Sequence, residues 1–334
     1  MVCLCGRTVC EYLSSLLDSD SENVSYRNWQ QFLTNNVNLY DEIQAYDTFG
    51  FILRSFARPE AAAAVTLLRS CFVGFLDEVE LKDDVERDLA DSMVSIGALL
   101  KPDSVRPYYR MASPLLDGLI RCRLIPNKFP DSPSSVLPYE DGQFLFLGIL
   151  IESLKFFDKA LIRLAASRSY KTSKVEIPGV PDGHVPRESV YDMELMRILS
   201  NWLQRIGSWR VTPQWHLQTH MKNKHKYSDI VIKDSDNPTI VLELVATGDT
   251  SLVRSHIQKA PECMALLSAD EAWVVHFTCE PDYHPIWQSD VELSGGVNVV
   301  HFAHDLDFTN VVMSARWKDR AGNTQHEDRR LLTV

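Results

Sequence analysis

The sequence predicts an α+β protein in which an all-α N-terminal half precedes a C-terminal half of order α-β-β-β-α-β. Three observations lead to this prediction. Apolar residues recur every three or four positions through the first hundred residues, as they do in amphipathic helices. A segment rich in proline and glycine, 174–186, then interrupts the chain. Beyond it, short continuous apolar runs begin, and two of them carry one carboxylate each.

The helical pattern of the N-terminal half covers separate segments of the chain, each with apolar residues at spacings of three and four. The predicted helices are Val9–Leu17, Tyr26–Asn35, Leu39–Phe56, Glu60–Leu76 and Asp83–Leu100. None of them carries a recognisable chemical motif, so we interpret their aromatic and leucine residues as core.

Two proline-rich segments, 126–138 and 174–186, divide the middle of the chain. Between them the pattern predicts one long amphipathic helix from about Asp141 to Ser167. We therefore expect a helical domain at 1–125, linker segments with one long helix at 126–184, a second domain at 185–322 and a tail at 323–334.

The second domain is predicted to begin with a helix and to continue mainly as strands. Its predicted elements are a helix at Val190–Ile206, strands at Trp209–Leu217, Tyr227–Ile232 and Ile240–Val245, a helix at Thr250–Leu267, and strands at Ala272–Phe277 and Val297–Phe302. His276 and His301 fall within apolar strands, and we interpret them as hydrogen-bonded core residues.

Two of the strands each contain one acid, Asp229 or Glu243. Residue 236 lies midway between these acids, within the turn-forming segment Asp234–Pro238. A symmetric hairpin that closes there places both carboxylates on one face, with Cβ atoms about 5 Å apart. A divalent cation between them would relieve their repulsion. A slip of one residue would separate them, and two exposed acids on a half-solvated hairpin are the alternative interpretation.

The charge of the chain is uneven. Its 334 residues carry a formal net charge of −11, which argues against a protein that coats nucleic acid. The stretch from Arg205 to Lys233 is nonetheless basic and adjoins the two acids. We predict a phosphate-facing rim there, and a solvated charged loop is the alternative. The predicted nucleic-acid-binding residues are Arg210, Lys222, Lys224 and Lys226.

Cysteine usage and hydropathy indicate the compartment. The seven cysteines are odd in number, which fits reduced thiols better than a disulfide framework. No stretch resembles a membrane span or the apolar core of a signal peptide. We therefore expect an intracellular protein of the cytoplasm or nucleus that has no membrane partner.

Several phrases of the C-terminal half resemble a known family. They are Val185–Tyr191, Gln214–Leu217, Leu242–Gly248, and Asn298–Phe302 with His304-Asp305. Together with the element order, an acid on the second strand and a glutamate on the third, they resemble the C-terminal domain of fungal Crinkler-type proteins, above all those of arbuscular mycorrhizal fungi. The resemblance covers roughly Gln143 to Thr324. It implies a restriction-endonuclease-like, or PD-(D/E)XK, fold, and it also implies secretion into a host cell, although the usual Leu-Phe-Leu-Ala-Lys header is absent from the first hundred residues.

The resemblance also implies a chemistry, phosphodiester hydrolysis with Mg²⁺ or Mn²⁺ as cofactor. Asp229 and Glu243 would then be catalytic metal ligands, and Glu194 on the first helix would be an accessory catalytic acid. One departure is visible: the family's lysine is expected two residues after Glu243, where this chain has Val245. Some relatives carry the lysine on the following helix, so Lys259 is the predicted catalytic amine.

Three function classes remain open on the sequence alone. The first is a metal-dependent endonuclease with a displaced lysine, acting on nucleic acid and on DNA in the first instance. The second is an inactive nuclease fold that binds nucleic acid without cutting it. The third is an interaction protein that binds a protein partner through its helical half.

Overall fold

The computed structural model describes residues 40, 43–75, 77–103, 105–134, 136–140, 143–168, 184–218, 225–234, 237–280, 282–319 and 321–334; at 139–140, 143–144, 167–168, 214–218 and 225–228 it describes the backbone alone. The chain divides into two compact units, residues 1–50 and 51–334. The predicted helices Val9–Leu17 and Tyr26–Asn35 lie outside the described residues.

The described part of the chain mixes helices and strands. The helices are α1 (Asp47–Ala57), α2 (Ala62–Leu67), α3 (Asp84–Ser95), α4 (Pro114–Leu119), α5 (Ile125–Lys128), α6 (Phe146–Leu154), α7 (Lys159–Arg168), α8 (Glu188–Ile206), α9 (Thr250–Leu267) and α10 (Asp290–Ser294). The strands are β1 (Val79–Glu80), β2 (Leu99–Leu100), β3 (Tyr108–Met111), β4 (Tyr139–Glu140), β5 (Gln143–Phe144), β6 (Arg210–Gln218), β7 (His225–Lys233), β8 (Ile240–Ala246), β9 (Glu271–Thr278), β10 (Val297–His304), β11 (Val311–Lys318) and β12 (Thr324–Leu332). A 3₁₀ turn, Pro59–Ala61, precedes α2, and π-helical turns, Leu68–Phe72 and Ile120–Leu124, follow α2 and α4.

The N-terminal half is not all-α, because β1, β3 and β2 form a small antiparallel sheet. The helix predicted over Asp83–Leu100 ends at Ser95. Gly97 has a φ of 80°, in the left-handed region that glycine adopts at helix ends. The chain therefore leaves the helix, and Leu99 and Leu100 pair with β3 instead.

The long helix predicted from Asp141 to Ser167 is two helices, α6 and α7. Asp158 separates them, and its Oδ1 accepts a hydrogen bond from the backbone N–H of Leu161 at 3.1 Å. A side-chain oxygen in this position satisfies an N–H that the first turn of a helix would otherwise leave unpaired, so it starts a new helix.

The C-terminal half is built on a seven-stranded mixed sheet of order β12-β11-β10-β9-β8-β7-β6. Strands β6, β7 and β8 are antiparallel, β8, β9 and β10 are parallel, and β10, β11 and β12 are antiparallel again. The elements α8-β6-β7-β8-α9-β9 follow the predicted order. Residues 323–334, expected to be a tail, instead include the edge strand β12.

Strand β8 lies where the two long helices of the sheet meet. Helix α8 packs against β6, β7 and β8, and α9 packs against β8, β9 and β10. All seven residues of β8 are buried, as expected for a parallel strand that is covered on both faces. Helix α8 also packs against α5, α6 and α7, so the expected domain boundaries at 125 and 184 do not coincide with the division of the chain.

Candidate functional site

The two acids of the hairpin lie next to each other just beyond its paired section. The pairing of β7 with β8 runs from Ile232–Ile240 to Ile230–Leu242, so Asp229 and Glu243 are the next opposed positions. There the backbone N–H of Leu244 donates to Oδ2 of Asp229 at 2.6 Å. A side-chain carboxylate thus takes the bond that a β7 carbonyl would accept in a continued ladder.

The carboxylate of Glu243 is completely buried. Its Oε2 accepts a hydrogen bond from Nζ of Lys259 at 2.7 Å, and Nδ1 of His256 lies 3.6 Å from the same oxygen. The other oxygen, Oε1, has no hydrogen-bond partner among the described residues. A buried carboxylate oxygen without a partner is costly, so Oε1 is a point at which a bound cation or donor would be favoured.

Helix α9 brings Lys259 and His256 to this carboxylate. Asp249 caps the start of the helix, since its Oδ1 accepts the N–H of Leu252 at 2.9 Å. His256 and Lys259 are three residues apart and therefore share a helix face. Burial lowers the pKa of Lys259, but the charge and hydrogen bond of Glu243 outweigh that effect, so the pKa is raised. The amine is therefore a cation at neutral pH.

The surroundings of Asp229 disfavour its ionised form. It keeps part of its surface exposed, yet burial of its carboxyl is the largest cause of a pKa raised well above the ordinary value. The hydrogen bond from Leu244 acts in the opposite direction. The negative charges that raise the pKa further are those of Glu188, Glu243 and Asp192.

Two of these acids, Glu188 and Asp192, were missed in the sequence. They stand four residues apart on α8 and share one helix face. Asp192 is buried and ion-paired with Arg121, while its Oδ1 has no hydrogen-bond partner among the described residues. The four-residue spacing of Glu188 and Asp192 is the sequence feature that could have identified them. It is not distinctive, because α8 is buried on most of its surface and has no clear polar face.

Glu194 is placed elsewhere. Its side chain is buried and binds Arg69 and Arg197, with Nη2 of Arg197 2.8 Å from Oε2. The same Oε2 accepts the backbone N–H of Asp158 at 2.9 Å. Burial raises the pKa of Glu194, but the two arginines outweigh it and leave the pKa lowered. The acid predicted to assist catalysis thus anchors α8 to preceding segments, and the acids of α8 that act on Asp229 are Glu188 and Asp192.

Val245 occupies the position where the resemblance expects a lysine. It is buried and lies beside His276 of β9 in the parallel register. The following turn is tightly held: Thr247 has a φ of 38°, and the N–H of Gly248 donates to Nε2 of His276 at 3.2 Å. The turn joins the strand of Glu243 to the helix of Lys259, so His276 helps to fix their relative position.

The buried histidines form hydrogen-bonded chains. Nδ1 of His276 lies 3.2 Å from Nδ1 of His301, and Nε2 of His301 lies 3.0 Å from the carbonyl oxygen of Ile286. Since Gly248 donates to His276, one proton arrangement satisfies the chain, with His276 protonated on Nδ1 and His301 on Nε2. His304 is likewise buried, with Nε2 2.8 Å from the hydroxyl of Tyr191.

The predicted basic rim is only partly described. Lys222 and Lys224 lie outside the described residues, and Lys226 is described by its backbone alone, as part of β7. Arg210 begins β6, is exposed, and pairs in register with Lys233.

Within the described residues, no group of three histidine, cysteine, aspartate or glutamate side chains is arranged to hold a metal ion. None of the helices described is long and apolar enough to cross a membrane. Comparisons of the chain with protein-family models, with curated proteins and with solved structures gave no match.

Proposed function

We propose that the C-terminal half is a PD-(D/E)XK-type nuclease domain of the Crinkler family that hydrolyses phosphodiester bonds in DNA. The observation that carries this proposal is the contact of Lys259 with Glu243 beside Asp229. It joins two acids and an amine drawn from β7, β8 and α9. The order α8-β6-β7-β8-α9-β9 and the phrases that resemble those of Crinkler-type proteins support the same function.

Mg²⁺ or Mn²⁺ suits the oxygen donors of this site. Asp229 and Glu243 would hold the ion, since Oε1 of Glu243 is buried without a hydrogen-bond partner among the described residues. Burial and, after it, neighbouring negative charges raise the pKa of Asp229, and a cation would relieve the repulsion between these charges. When bound, such an ion activates water and offsets charge on the phosphate.

Lys259 supplies the fixed positive charge of the proposed reaction. Its amine is held on Glu243, and its side chain is 24% exposed. It can therefore face a phosphate while it keeps its contact with the carboxylate. A preorganised cation at this position stabilises the negative charge that develops on the phosphate in the transition state.

The same ion pair favours a second candidate, a catalytically inactive module that binds nucleic acid. Lys259 already balances the charge of Glu243, so the carboxylate is stable without a metal ion. Val245 leaves no amine at the usual strand position. The two candidates differ in a single outcome, which is cleavage.

Plasmid cleavage tests the proposal. Purified wild-type protein should nick or linearise a supercoiled plasmid with Mg²⁺ or Mn²⁺, and EDTA should stop it. Asp229→Asn and Glu243→Gln should lose cleavage, whereas the exposed control Asp282→Asn should retain it. A protein that binds DNA but cuts with neither metal would be the inactive module.

Metal binding has a readout that does not depend on activity. A ligand that binds only the folded state at 100 times its Kd stabilises the protein by about 2.7 kcal/mol. Mg²⁺ should therefore raise the Tm of the wild type and of Asp282→Asn but have less effect on Glu243→Gln. An equal rise in all three proteins would place the metal elsewhere.

The basic rim supplies the affinity for DNA in this proposal. Replacing Lys222, Lys224 and Lys226 together by Ala should weaken binding and flatten its salt dependence. Each lost phosphate contact removes about 0.9 from the slope of log K against log salt. An unchanged slope would show that the three lysines are merely solvated.

A further inference from the structure

His256 faces the acid pair from one turn before Lys259. Its Nδ1 lies 3.6 Å from Oε2 of Glu243, beyond hydrogen-bonding range, and this buried nitrogen has no hydrogen-bond partner among the described residues. Lys259 reaches the same oxygen at 2.7 Å. One carboxylate oxygen is thus flanked by two side chains, of which only one is hydrogen-bonded to it.

The exposure of these side chains shows which of them a solute can reach. The side chain of Glu243 is 0% exposed, that of His256 is 18% exposed and that of Lys259 is 24% exposed. His256 and Lys259 therefore lie at the solvent-facing side of the carboxylate. Water or substrate that approaches Glu243 from this side meets them first.

We propose that His256 orients the attacking water of the hydrolysis, an inference that rests on the proposed function. A small closing movement lets Nδ1–H donate to Oε2 of Glu243. A neutral imidazole has one donor and one acceptor, so Nε2, across the ring, then accepts the O–H of a water molecule. The roles are divided: Lys259 acts on the phosphate by its charge, and His256 sets the direction of the water.

Two amide substitutions separate this role from a general structural one. The amide oxygen of Gln can reach the place of Nε2, whereas the shorter side chain of Asn reaches only the place of Nδ1. We expect His256→Ala and His256→Asn to lower kcat about 100-fold with little change in KM, because misplacement of a reactant has an effect of this size. His256→Gln should regain about tenfold, the worth of a hydrogen bond.

The plasmid assay is accompanied by two controls. His284→Ala removes an exposed histidine and should cleave as the wild type does. DNA affinity measured with Ca²⁺ in place of Mg²⁺, together with urea unfolding, should be similar in all variants, because His256 contacts water and not DNA.

The outcomes distinguish this inference from the proposed function. If the wild type cuts and the Ala, Asn and Gln variants all cut normally, or all lose cleavage equally, His256 does not orient water and the nuclease proposal stands. Cleavage that is lost in Ala and Asn and partly restored in Gln supports the inference. A wild type that cuts with neither metal overturns both.

Discussion

Lys259 donates to Glu243 over 2.7 Å although the two residues belong to different elements, a helix and the strand before it. The strand position that faces the same way as Glu243, Val245, is buried and carries no charge. The cation beside Asp229 and Glu243 is therefore supplied by α9 and not by β8. The short turn at Thr247 and Gly248 joins these two elements, so it sets the position of Lys259 relative to Glu243.

Replacing Lys259 by Ala should abolish cleavage. Loss of one preorganised charge or donor in a site of this kind lowers kcat by about 10²–10³. DNA affinity should stay within a few-fold of the wild type, as measured by a binding titration in Ca²⁺. Lys155→Ala, which removes an exposed lysine that is paired with Glu152 one helical turn earlier, is the matched control. Normal cleavage by the Lys259 variant would show that another group supplies the charge.

The raised pKa of Asp229 makes a prediction about stability. The folded chain holds the carboxyl proton of Asp229 more tightly than the unfolded chain does. The contribution of Asp229 to stability is therefore fully present below the ordinary pKa of about 3.9, and it is lost as the pH rises through the pKa of Asp229 in the folded chain. In EDTA at pH 7, Asp229→Asn should raise the free energy of unfolding by about 1–3 kcal/mol.

This gain should shrink as the pH is lowered from 7 toward 4.5, because the cost of burying the wild-type carboxyl falls as the pH approaches the range in which the folded and the unfolded chain both bind its proton. Urea unfolding at both pH values measures it, with the exposed Asp282→Asn as control. A gain of equal size at the two pH values would mean that its source is packing and not charge.

Glu194 should behave as a structural residue. Removal of one partner from a buried ion pair costs about 3–5 kcal/mol, so Glu194→Ala should lower stability by that amount. Arg197 would lose its carboxylate partner, and Arg69 would keep only Asp158 among the carboxylates described. Protein that remains folded at low temperature should still cut DNA. Glu152→Ala, which breaks an exposed pair with Lys155, should change stability by less than about 0.5 kcal/mol.

A Glu194→Ala protein that has normal stability in urea unfolding but has lost cleavage would contradict this expectation. It would support the accessory catalytic role that the sequence predicted for Glu194.

The buried histidines should make the protein sensitive to acid. Burial lowers the pKa of His301 and of His304 to about 4 each, from an ordinary value near 6.5. The unfolded chain therefore takes up protons first, and stability present above pH 6.5 is lost as pH falls toward 4. Between these two pH values, the free energy of unfolding should fall by about 1.4 kcal/mol per pH unit for each histidine.

Urea unfolding at pH 7, 6 and 5 measures this slope. His304→Gln should reduce it by one proton, whatever its effect on absolute stability, and the exposed His284→Ala should leave it unchanged. An unchanged slope in His304→Gln would show that His304 is not held neutral in the folded protein.

Local patterns in the sequence predicted the register of the acids and the bounds of α9. The turn-forming residues of 234–238 predicted a hairpin centred on position 236. The pairs Ile230–Leu242 and Ile232–Ile240 have that same midpoint, and one centre determines every opposed pair. Helix α9 runs from Thr250 to Leu267 as predicted, since apolar spacing and a capping Asp249 define it locally. Both features depend on neighbours within a few residues.

The features that the sequence did not predict depend on distant residues or on exposure. Glu194 pairs with Arg197 of its own helix and also with Arg69, which stands 125 positions earlier in the chain. Strand β12 is mostly exposed and polar, so it lacks the hydrophobic alternation by which strands are predicted. Glu188 and Asp192 approach Asp229 because α8 packs on the sheet, and local sequence patterns do not predict this packing.

Arginines from earlier in the chain contact α8, and they limit which segment of this protein can be transferred to another protein. Arg121 and Arg69 neutralise Asp192 and Glu194, which sit on the helix that opens the sheet-bearing half. A graft that begins at residue 185 would carry the buried Asp192 into its new host without Arg121, and it would leave Glu194 with Arg197 but without Arg69. The portable unit is therefore the segment 51–334, and a fusion or chimera that keeps the sheet must also keep the two π-helical turns that carry Arg69 and Arg121.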